Sequence, residues 1–147
     1  MSDEILLNIL NRDAKYVNSH VNLDILEGAD VTITGATGLI GLNIICALNY
    51  YNNNNAKQRI NINALSYSKP VGIIKKVFEE NCVNSISGDL SSCNFIEELP
   101  LSDCIIHSAG YGQPGKFLDD KLKTISINTS ATISLSKKLK KEGRFLF

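Results

Sequence analysis

The chain has 147 residues, of which 44% are hydrophobic and 20% charged, and its formal net charge is zero. This length suffices for one domain with a hydrophobic core, and the composition excludes a disordered tail and a basic face for nucleic acid. The first residues, "MSDEILLNILNRDAKY", are acidic and periodic, which predicts no signal peptide, and no apolar run approaches the roughly 20 residues of a membrane span. We therefore expect a cytoplasmic protein that binds neither nucleic acid nor a membrane.

Four cysteines, Cys46, Cys82, Cys93 and Cys104, stand mostly beside apolar residues and form no C-x-x-C pair. This pattern predicts buried, reduced thiols. The spacings do not suit structural zinc, so no metal site is expected.

The hydrophobic pattern of the first half predicts two helices and two strands in alternation. In chain order these are a helix over 4–18, a buried strand at "ADVTITG" (29–35), a helix over 39–50 and a strand at "RININALSYS" (59–68). The run of asparagines from Asn52 to Asn55 is expected to be a polar surface loop. Pro70 is expected in the first turn of the next helix, which carries Val77 and Phe78.

The second half continues the alternation. It predicts strands at "CVNSISGDL" (82–90) and "DCIIHSAG" (103–110), a loop at "YGQPGKF" (111–117), one long helix over 118–141 and the start of a fifth strand at "GRFLF" (143–147). The long helix would bury one stripe of residues, namely Leu122, Ile125, Thr129, Ile133 and Leu139. Strands that alternate with helices predict βαβ units and a parallel sheet, hence an α/β fold.

Three glycines, Gly35, Gly38 and Gly41, are spaced three apart between the first strand and the second helix. The first would allow a sharp turn, the second would let backbone N–H groups approach a pyrophosphate, and the third would let the helix pack closely on the sheet. The phosphates would then rest on the N–H groups of Leu39 and Ile40, where the helix dipole favours an anion. Because the loop joins a strand to a helix, we predict dinucleotide binding rather than a plain tight turn.

The stretch "TGATGLIG" (34–41) resembles the T-G-x-x-G-x-x-G fingerprint of the extended short-chain dehydrogenase/reductase superfamily, a branch of nucleotide-sugar epimerases, dehydratases and decarboxylases. Further similarity follows in order at "GDL" (88–90), at "HSAG" (107–110) and at Asn128. The resemblance covers about residues 28–147. It implies a Rossmann-type doubly wound parallel sheet, incomplete at strand five, as an NAD(P)-binding domain over 28–147, preceded by a helical extension over 1–27.

The resemblance also implies which residues contact the cofactor. They are Gly35, Thr37, Gly38, Leu39, Ile40 and Gly41 in the glycine loop, Ser66, Tyr67 and Ser68 after strand two, Asp89 and Leu90 after strand three, Ser108, Ala109 and Gly110 after strand four, and Asn128 in the long helix. Asp89 would contact the adenine. Two alternatives stay open: Asp89 caps a short helix over 91–98, and Asn128 is an ordinary helical amide. His107 is expected to end a strand rather than to act as an acid or base.

The end of strand two departs from the family pattern. NAD-binding relatives carry an acidic residue there for the ribose hydroxyls, and NADP-binding relatives carry an arginine nearby. This chain has "SYS" (66–68) followed by Lys69, so a serine would meet the ribose or Lys69 would meet a 2′-phosphate. We expect NAD, with NADP as the alternative, and a discrimination below about a hundredfold, or roughly 2.8 kcal/mol.

The proton-transfer apparatus of the superfamily is not found in this sequence. Relatives use a Tyr-x-x-x-Lys pair, and none of the five tyrosines here is followed by lysine four positions later. No catalytic residue is therefore predicted, and we expect the chain to be the cofactor-binding part of a longer enzyme. That enzyme would be a homo-oligomer acting on a nucleotide sugar in polysaccharide biosynthesis. The alternative is a non-catalytic dinucleotide sensor or scaffold.

Overall fold

The computed structural model describes residues 3–80, 83–110 and 114–147. The helices are α1 (Asp3–His20), α2 (Leu39–Asn54), α3 (Gly72–Glu80), α4 (Cys93–Glu97), α5 (Pro114–Asp119), α6 (Lys121–Asn128) and α7 (Ser130–Ser136). The strands are β1 (Asp30–Thr34), β2 (Asn61–Ser66), β3 (Asn84–Ser87), β4 (Ser102–His107) and β5 (Leu139–Leu146). A 3₁₀ turn over Asp24–Leu26 lies between α1 and β1.

The five strands form one sheet in the order β3-β2-β1-β4-β5, and every neighbouring pair is parallel. The chain builds outward from β1 through β2 to β3, then crosses back to add β4 and β5 on the other side. Such a reversal opens a crevice at the carboxyl ends of the central strands, where ligands of doubly wound sheets bind. The predicted α/β class with a Rossmann-type parallel sheet is confirmed.

Helices cover both faces of the sheet. One core packs α1, α2 and α3 against β1, β2 and β4, and its fully buried members include Val31, Ile33 and Ile45. A second core on the other face contains Leu65, Ile96 and residues of α7. Because both faces are covered, β1 and β2 are buried nearly end to end, including polar residues such as Thr32, Thr34 and Asn63, as the prediction of buried strands required.

The amino-terminal helix packs on the Rossmann core. Leu10 and Ala14 of α1 are buried in the first core, and the Asn18 side-chain amide donates to the Ala47 carbonyl of α2 at 2.9 Å. The division into residues 1–27 and 28–147 stays a prediction. None of the helices in the described ranges combines the length and apolarity that crossing a membrane requires.

The prediction of one helix over 118–141 is wrong. The backbone breaks at Thr129 (φ −122°, ψ −74°) between α6 and α7, and the chain is already in β5 from Leu139 onward. The predicted inward stripe is also wrong, since Leu122, Ile125 and Ile133 are more than half exposed. The apolar periodicity of the sequence continues across the break and therefore did not indicate it. Residues from Leu139 onward pair with β4, and this tertiary pairing overrides the helix that local propensity predicted.

Three other boundaries differ from expectation. Helix α2 continues through Asn52–Asn54, which was expected to be a loop. Asn52 is buried there because its side-chain amide exchanges two hydrogen bonds with the backbone of Ile60, at 2.8 and 2.9 Å, and so fixes the turn into β2. Pro70 precedes α3 instead of lying in its first turn. The loop expected over 111–117 is helical from Pro114, whereas residues 111–113 lie outside the described residues.

The cysteines follow the prediction in part. Cys46 and Cys104 are buried free thiols, and burial raises the pKa of Cys46 to about 11, so that thiol stays protonated. Cys93 is free but exposed, contrary to expectation, because it starts the short surface helix α4. Cys82 lies outside the described residues.

Strand β5 joins the sheet through a bulge. Leu139 pairs with Ser102, but Cys104 pairs with Arg144, so residues 140–143 loop out and Glu142 takes a positive φ of 68°. Lys140 reaches from this loop to the carboxylates of Asp30 and Asp103, at 2.6 and 2.8 Å. The bulge is thus tied to β1 and β4 at the amino end of the sheet.

The register of α7 predicts a contrast between two of its side chains. Leu135 is fully buried in the second core, whereas Ile133 is 62% exposed. We expect Leu135→Ala to lower the free energy of unfolding by about 2–5 kcal/mol, since it leaves a cavity. Ile133→Ala should stay within about 0.5 kcal/mol of the parent. Urea denaturation measures both, and the reverse ranking would contradict the observed register.

Candidate functional site

A cleft of about 460 Å³ opens at the carboxyl ends of the central strands. Its walls come from the glycine loop after β1, the ends of β2 and β3, the turn after β4 and helix α6. The lining residues are Gly35, Thr37, Gly38, Leu65, Ser66, Tyr67, Gly88, Asp89, Leu90, Ser108, Ala109, Gly110, Lys123 and Ile127. The cleft lies where the strand order reverses, as expected for the ligand crevice of this architecture.

Two glycines of the loop are required by the fold itself. Gly35 has φ +67°, and a Cβ there would lie 2.7 Å from the Ser108 carbonyl oxygen and 2.9 Å from the Ala109 nitrogen. A Cβ on Gly41 would collide with the Gly35 carbonyl and the Ala36 backbone. Gly35 therefore lets the end of β1 turn against the loop after β4, and Gly41 lets α2 approach that turn, as predicted.

Gly38 differs because its backbone conformation is ordinary, at φ −79° and ψ 171°. A Cβ there would lie 3.1 Å from the Gly35 carbonyl oxygen, a tight contact that a small shift of that oxygen would relieve, so the fold constrains Gly38 less strictly than Gly35 and Gly41. Gly38 is the residue that precedes α2, and it lines the cleft without a side chain that caps the helix. The amino end of a 16-residue helix thus opens into the cleft with unfilled space before it. Such an end suits a phosphate group.

A chain of hydrogen bonds underlies the cleft floor. The Ala109 N–H donates to the Thr34 hydroxyl oxygen at 3.1 Å, Thr34 Oγ1 lies 2.6 Å from His107 Nδ1, and His107 Nε2 lies 3.0 Å from the Ile127 carbonyl oxygen. A carbonyl only accepts, so Nε2 carries the proton, Nδ1 accepts, and the Thr34 hydroxyl donates. The Ser108 hydroxyl also donates to the Thr34 carbonyl, at 2.6 Å. The loop after β4, the end of β1 and α6 are therefore joined through one neutral imidazole.

His107 is the last residue of β4, as expected, and only 5% exposed. Burial lowers the pKa of His107 below its ordinary value, against the hydrogen bond to Ile127, which raises it. Both ring nitrogens are occupied by structural partners, so the geometry assigns His107 to holding the floor of the cleft.

The other end of the cleft is formed by an ion pair and an aromatic ring. Asp89 accepts hydrogen bonds from the Ser91 N–H and hydroxyl on one oxygen and from Lys123 Nζ, at 2.7 Å, on the other. The same ammonium lies 4.5 Å from the centre of the Tyr67 ring. Partial burial acts to raise the pKa of Asp89, but the donors from Lys123 and Ser91 outweigh it and the pKa is lowered. The reading of Asp89 as a helix cap is wrong, because Ser92 caps α4.

Most of the predicted contact residues line this cleft. They are Gly35, Thr37, Gly38, Ser66, Tyr67, Asp89, Leu90, Ser108, Ala109 and Gly110. The remaining predicted residues are placed beside it or away from it. Leu39 and Ile40 begin α2 with exposed side chains, Gly41 is buried beneath the turn, and the Ser68 carbonyl accepts from the Ser66 hydroxyl at 2.8 Å. A role for them in ligand binding stays a prediction.

Asn128 lies at the end of α6, and its side-chain amide donates to the Thr124 carbonyl of its own helix at 2.7 Å. The cleft is lined from this helix by Lys123 and Ile127 instead. A cofactor contact of Asn128 stays a prediction too.

Four lining residues were not predicted, namely Leu65, Gly88, Lys123 and Ile127. Gly88 belongs to the motif "GDL", so the sequence did offer a signal for it. A Cβ at this position would collide with the Phe95 ring. Lys123 and Ile127 had none, since they reach the cleft through contacts with Asp89 and His107, which are distant in sequence.

The chain matches the model of the NAD dependent epimerase/dehydratase family over residues 31–147. No curated protein sequence matches it significantly. Among solved structures, it is similar to Pen from Bacillus thuringiensis (TM-score 0.60, 17% identity, 77% of this chain and 34% of that one). It is also similar to the UDP-Glc/GlcNAc 4-epimerase from the human pathogen Campylobacter jejuni (TM-score 0.57, 21% identity, 76% and 33%).

A third similar structure is UDP-glucose-4-epimerase (galE) from Stenotrophomonas maltophila with bound NAD and formylated UDP-arabinopyranose (TM-score 0.55, 14% identity, 75% of this chain and 33% of that one). At these identities the likeness concerns the fold. The matched part of this chain corresponds to about a third of the length of each of these three proteins.

The neutral His107 predicts a pH dependence of stability. The pKa of His107 is lowered in the folded state, so the unfolded state binds more protons below its ordinary pKa of about 6.5. The stability contributed by His107 is complete above that pH and is lost as the pH falls through the folded pKa. We expect the free energy of unfolding to fall between pH 7.5 and pH 5, with a smaller fall in His107→Gln.

Urea denaturation of parent and variant at both pH values measures this difference. The exposed His20 provides the matched control, and His20→Gln should leave the fall in place. An equal fall in the parent and in His107→Gln would show that His107 does not cause it.

Proposed function

Because the chain belongs to the NAD dependent epimerase/dehydratase family, we propose that its cleft binds NAD, or NADP in its place, as the cofactor-binding part of a nucleotide-sugar epimerase or dehydratase. The observation that carries this proposal is the open amino end of α2 at Gly38, which faces a cleft at the strand-order reversal.

Each wall of the cleft would contact a different part of the dinucleotide. The N–H groups of Leu39 and Ile40 would receive the pyrophosphate, in the space that the absent side chain of Gly38 leaves. Tyr67 follows β2 and would lie beside the adenosine ribose, and Asp89 and Leu90 would border the adenine. Ser108, Ala109 and Gly110 would lie along the opposite half of the dinucleotide. When bound, the dinucleotide supplies an acceptor for hydride.

The substrate, the pathway, the compartment and the oligomeric state are proposed from the resemblance to the extended short-chain dehydrogenase/reductase superfamily. The enzyme would act on a nucleotide sugar in polysaccharide biosynthesis, in the cytoplasm and as a homo-oligomer. We propose that this chain positions the cofactor and supplies no general acid or base of its own, because its sequence contains no Tyr-x-x-x-Lys pair.

The same sequence observation favours a second candidate function, a dinucleotide sensor or scaffold without catalysis. Both functions require the cleft to bind the cofactor. They differ in whether the polypeptide that carries this chain turns over a nucleotide sugar.

We predict that Gly38→Val abolishes or severely weakens dinucleotide binding while the fold is retained. Valine is compatible with the extended backbone at this position, but its side chain would occupy the space in front of α2. Titration calorimetry with NAD and NADP should show at least a tenfold loss of affinity.

Gly115→Val is the control for the Gly38 variant, because among the described residues a Cβ on Gly115 meets nothing within 4 Å, and Gly115 is not one of those that line the cleft. It should bind like the parent. Undiminished binding by Gly38→Val would contradict the placement of the pyrophosphate, and a parent that binds neither dinucleotide would contradict the proposed function.

We also predict that the 147-residue chain alone does not turn over nucleotide sugars. Positioned proton transfer contributes about 10²–10⁴-fold to such reactions, and the pair that performs it in relatives is not in this sequence. The test incubates the protein with NAD or NADP and a panel of UDP-, GDP- and dTDP-sugars, and follows reduced-cofactor absorbance and product chromatography. Turnover above the uncatalysed rate would require a general base from this chain.

A further inference from the structure

The end of β2 offers no charged group to the ribose position. The Ser66 side chain is buried, and its hydroxyl donates to the Ser68 carbonyl at 2.8 Å. Tyr67 is the next residue and presents an exposed aromatic ring at the cleft. In this architecture the residue at the end of β2 lies beside the adenosine ribose, where a carboxylate selects a free 2′-hydroxyl and a cation accepts a 2′-phosphate.

A cation reaches this position from another element. Lys123 enters the cleft from α6, and its Nζ lies 4.5 Å from the centre of the Tyr67 ring and 2.7 Å from Asp89. The side chain is only 21% exposed, so its ammonium is held between the ring and the carboxylate. Lys69 stands next to the same strand end in sequence but lines a separate depression with Pro70 and Lys75.

We propose that Lys123 is the specificity-determining residue for the adenosine ribose, where its ammonium would bind the 2′-phosphate of NADP. This inference rests on the proposed function, because it presumes that the dinucleotide lies in this cleft. In relatives the residue that contacts the 2′ position of the ribose comes from the end of β2. Here Lys123 would make that contact from α6, on the opposite wall of the cleft.

Asp89 limits the selectivity that Lys123 provides. Its carboxylate shares the ammonium, so a bound phosphate would compete with Asp89 for the same charge. Because the ion pair is overall neutral, we expect the parent to discriminate between NADP and NAD by less than a hundredfold. The two members of the pair should therefore act in opposite directions on the ratio of NADP to NAD affinity.

The test titrates NADPH and NADH by fluorescence into the parent and four variants, and compares the ratio of the two affinities. Lys123→Gln should lower the affinity for NADPH about tenfold and change that for NADH less than threefold. Asp89→Asn should raise the NADPH-to-NADH ratio severalfold, because it frees the ammonium. Lys123→Arg retains the positive charge, so its ratio of NADPH to NADH affinity should favour the same dinucleotide as that of the parent.

Lys69→Gln is the charge-matched control, and it should leave the ratio unchanged within twofold. An unchanged ratio in Lys123→Gln would overturn the proposal. So would a shift of the ratio in the same direction in Lys123→Gln and Asp89→Asn, since that outcome assigns the pair a merely structural role.

Urea denaturation of each variant distinguishes a change in selectivity from a loss of the fold, and a retained NADH affinity provides the same check within the titration. A parent that binds neither NADPH nor NADH would refute the proposed function itself. A parent that binds both with a ratio insensitive to Lys123 would refute this inference alone.

Discussion

The cleft depends on the close approach of the end of β1 to the loop that follows β4. Gly35 allows this approach, because its own backbone turns at a positive φ and any Cβ would strike Ser108 and Ala109. Thr34 then secures it with its carbonyl and hydroxyl, which bond to Ser108, Ala109 and His107. This contact continues the pairing of β1 with β4 beyond Thr34 and His107, and it places the glycine loop opposite the turn after β4, where both line the cleft.

The same hydrogen-bond chain continues to the helix that covers the cleft. Helix α6 contains no buried residue, so apolar packing holds it only weakly. It contacts the rest of the domain through the Ile127 carbonyl, which lies 3.0 Å from His107, and through Lys123, which meets Asp89 and the Tyr67 ring. Hydrogen bonds and charge therefore contribute more than buried apolar side chains to the position of this wall.

Sequence reasoning succeeded where the physical signal is local. The buried strands β1 and β2 and the spacing of Gly35, Gly38 and Gly41 follow from burial and backbone sterics, and together with the alternation of strands and helices they predicted the parallel sheet and the loop that borders the cleft. It failed over residues 118–141, where helical periodicity continues through the break at Thr129 and only pairing with β4 shows that Leu139 belongs to a strand. Lys123 was missed because its contact with Asp89 joins residues 34 positions apart.

The three glycines of the loop are constrained to different degrees by the fold. This difference distinguishes the glycines that folding requires from the one that ligand binding would require. Gly35 and Gly41 are fully accounted for by contacts within the chain, because larger residues would push the turn away from the loop after β4 or lift α2 off the turn. Gly38 has an ordinary backbone conformation, and a Cβ there would make one tight contact, 3.1 Å from the Gly35 carbonyl oxygen, so the packing of the chain constrains it less strictly than the other two. A residue at the amino end of a helix usually stabilises that end with a side-chain oxygen, and glycine forgoes this stabilisation. The amino end of α2 therefore has no side-chain cap from Gly38, and this is the feature on which the proposed binding of a phosphate group depends.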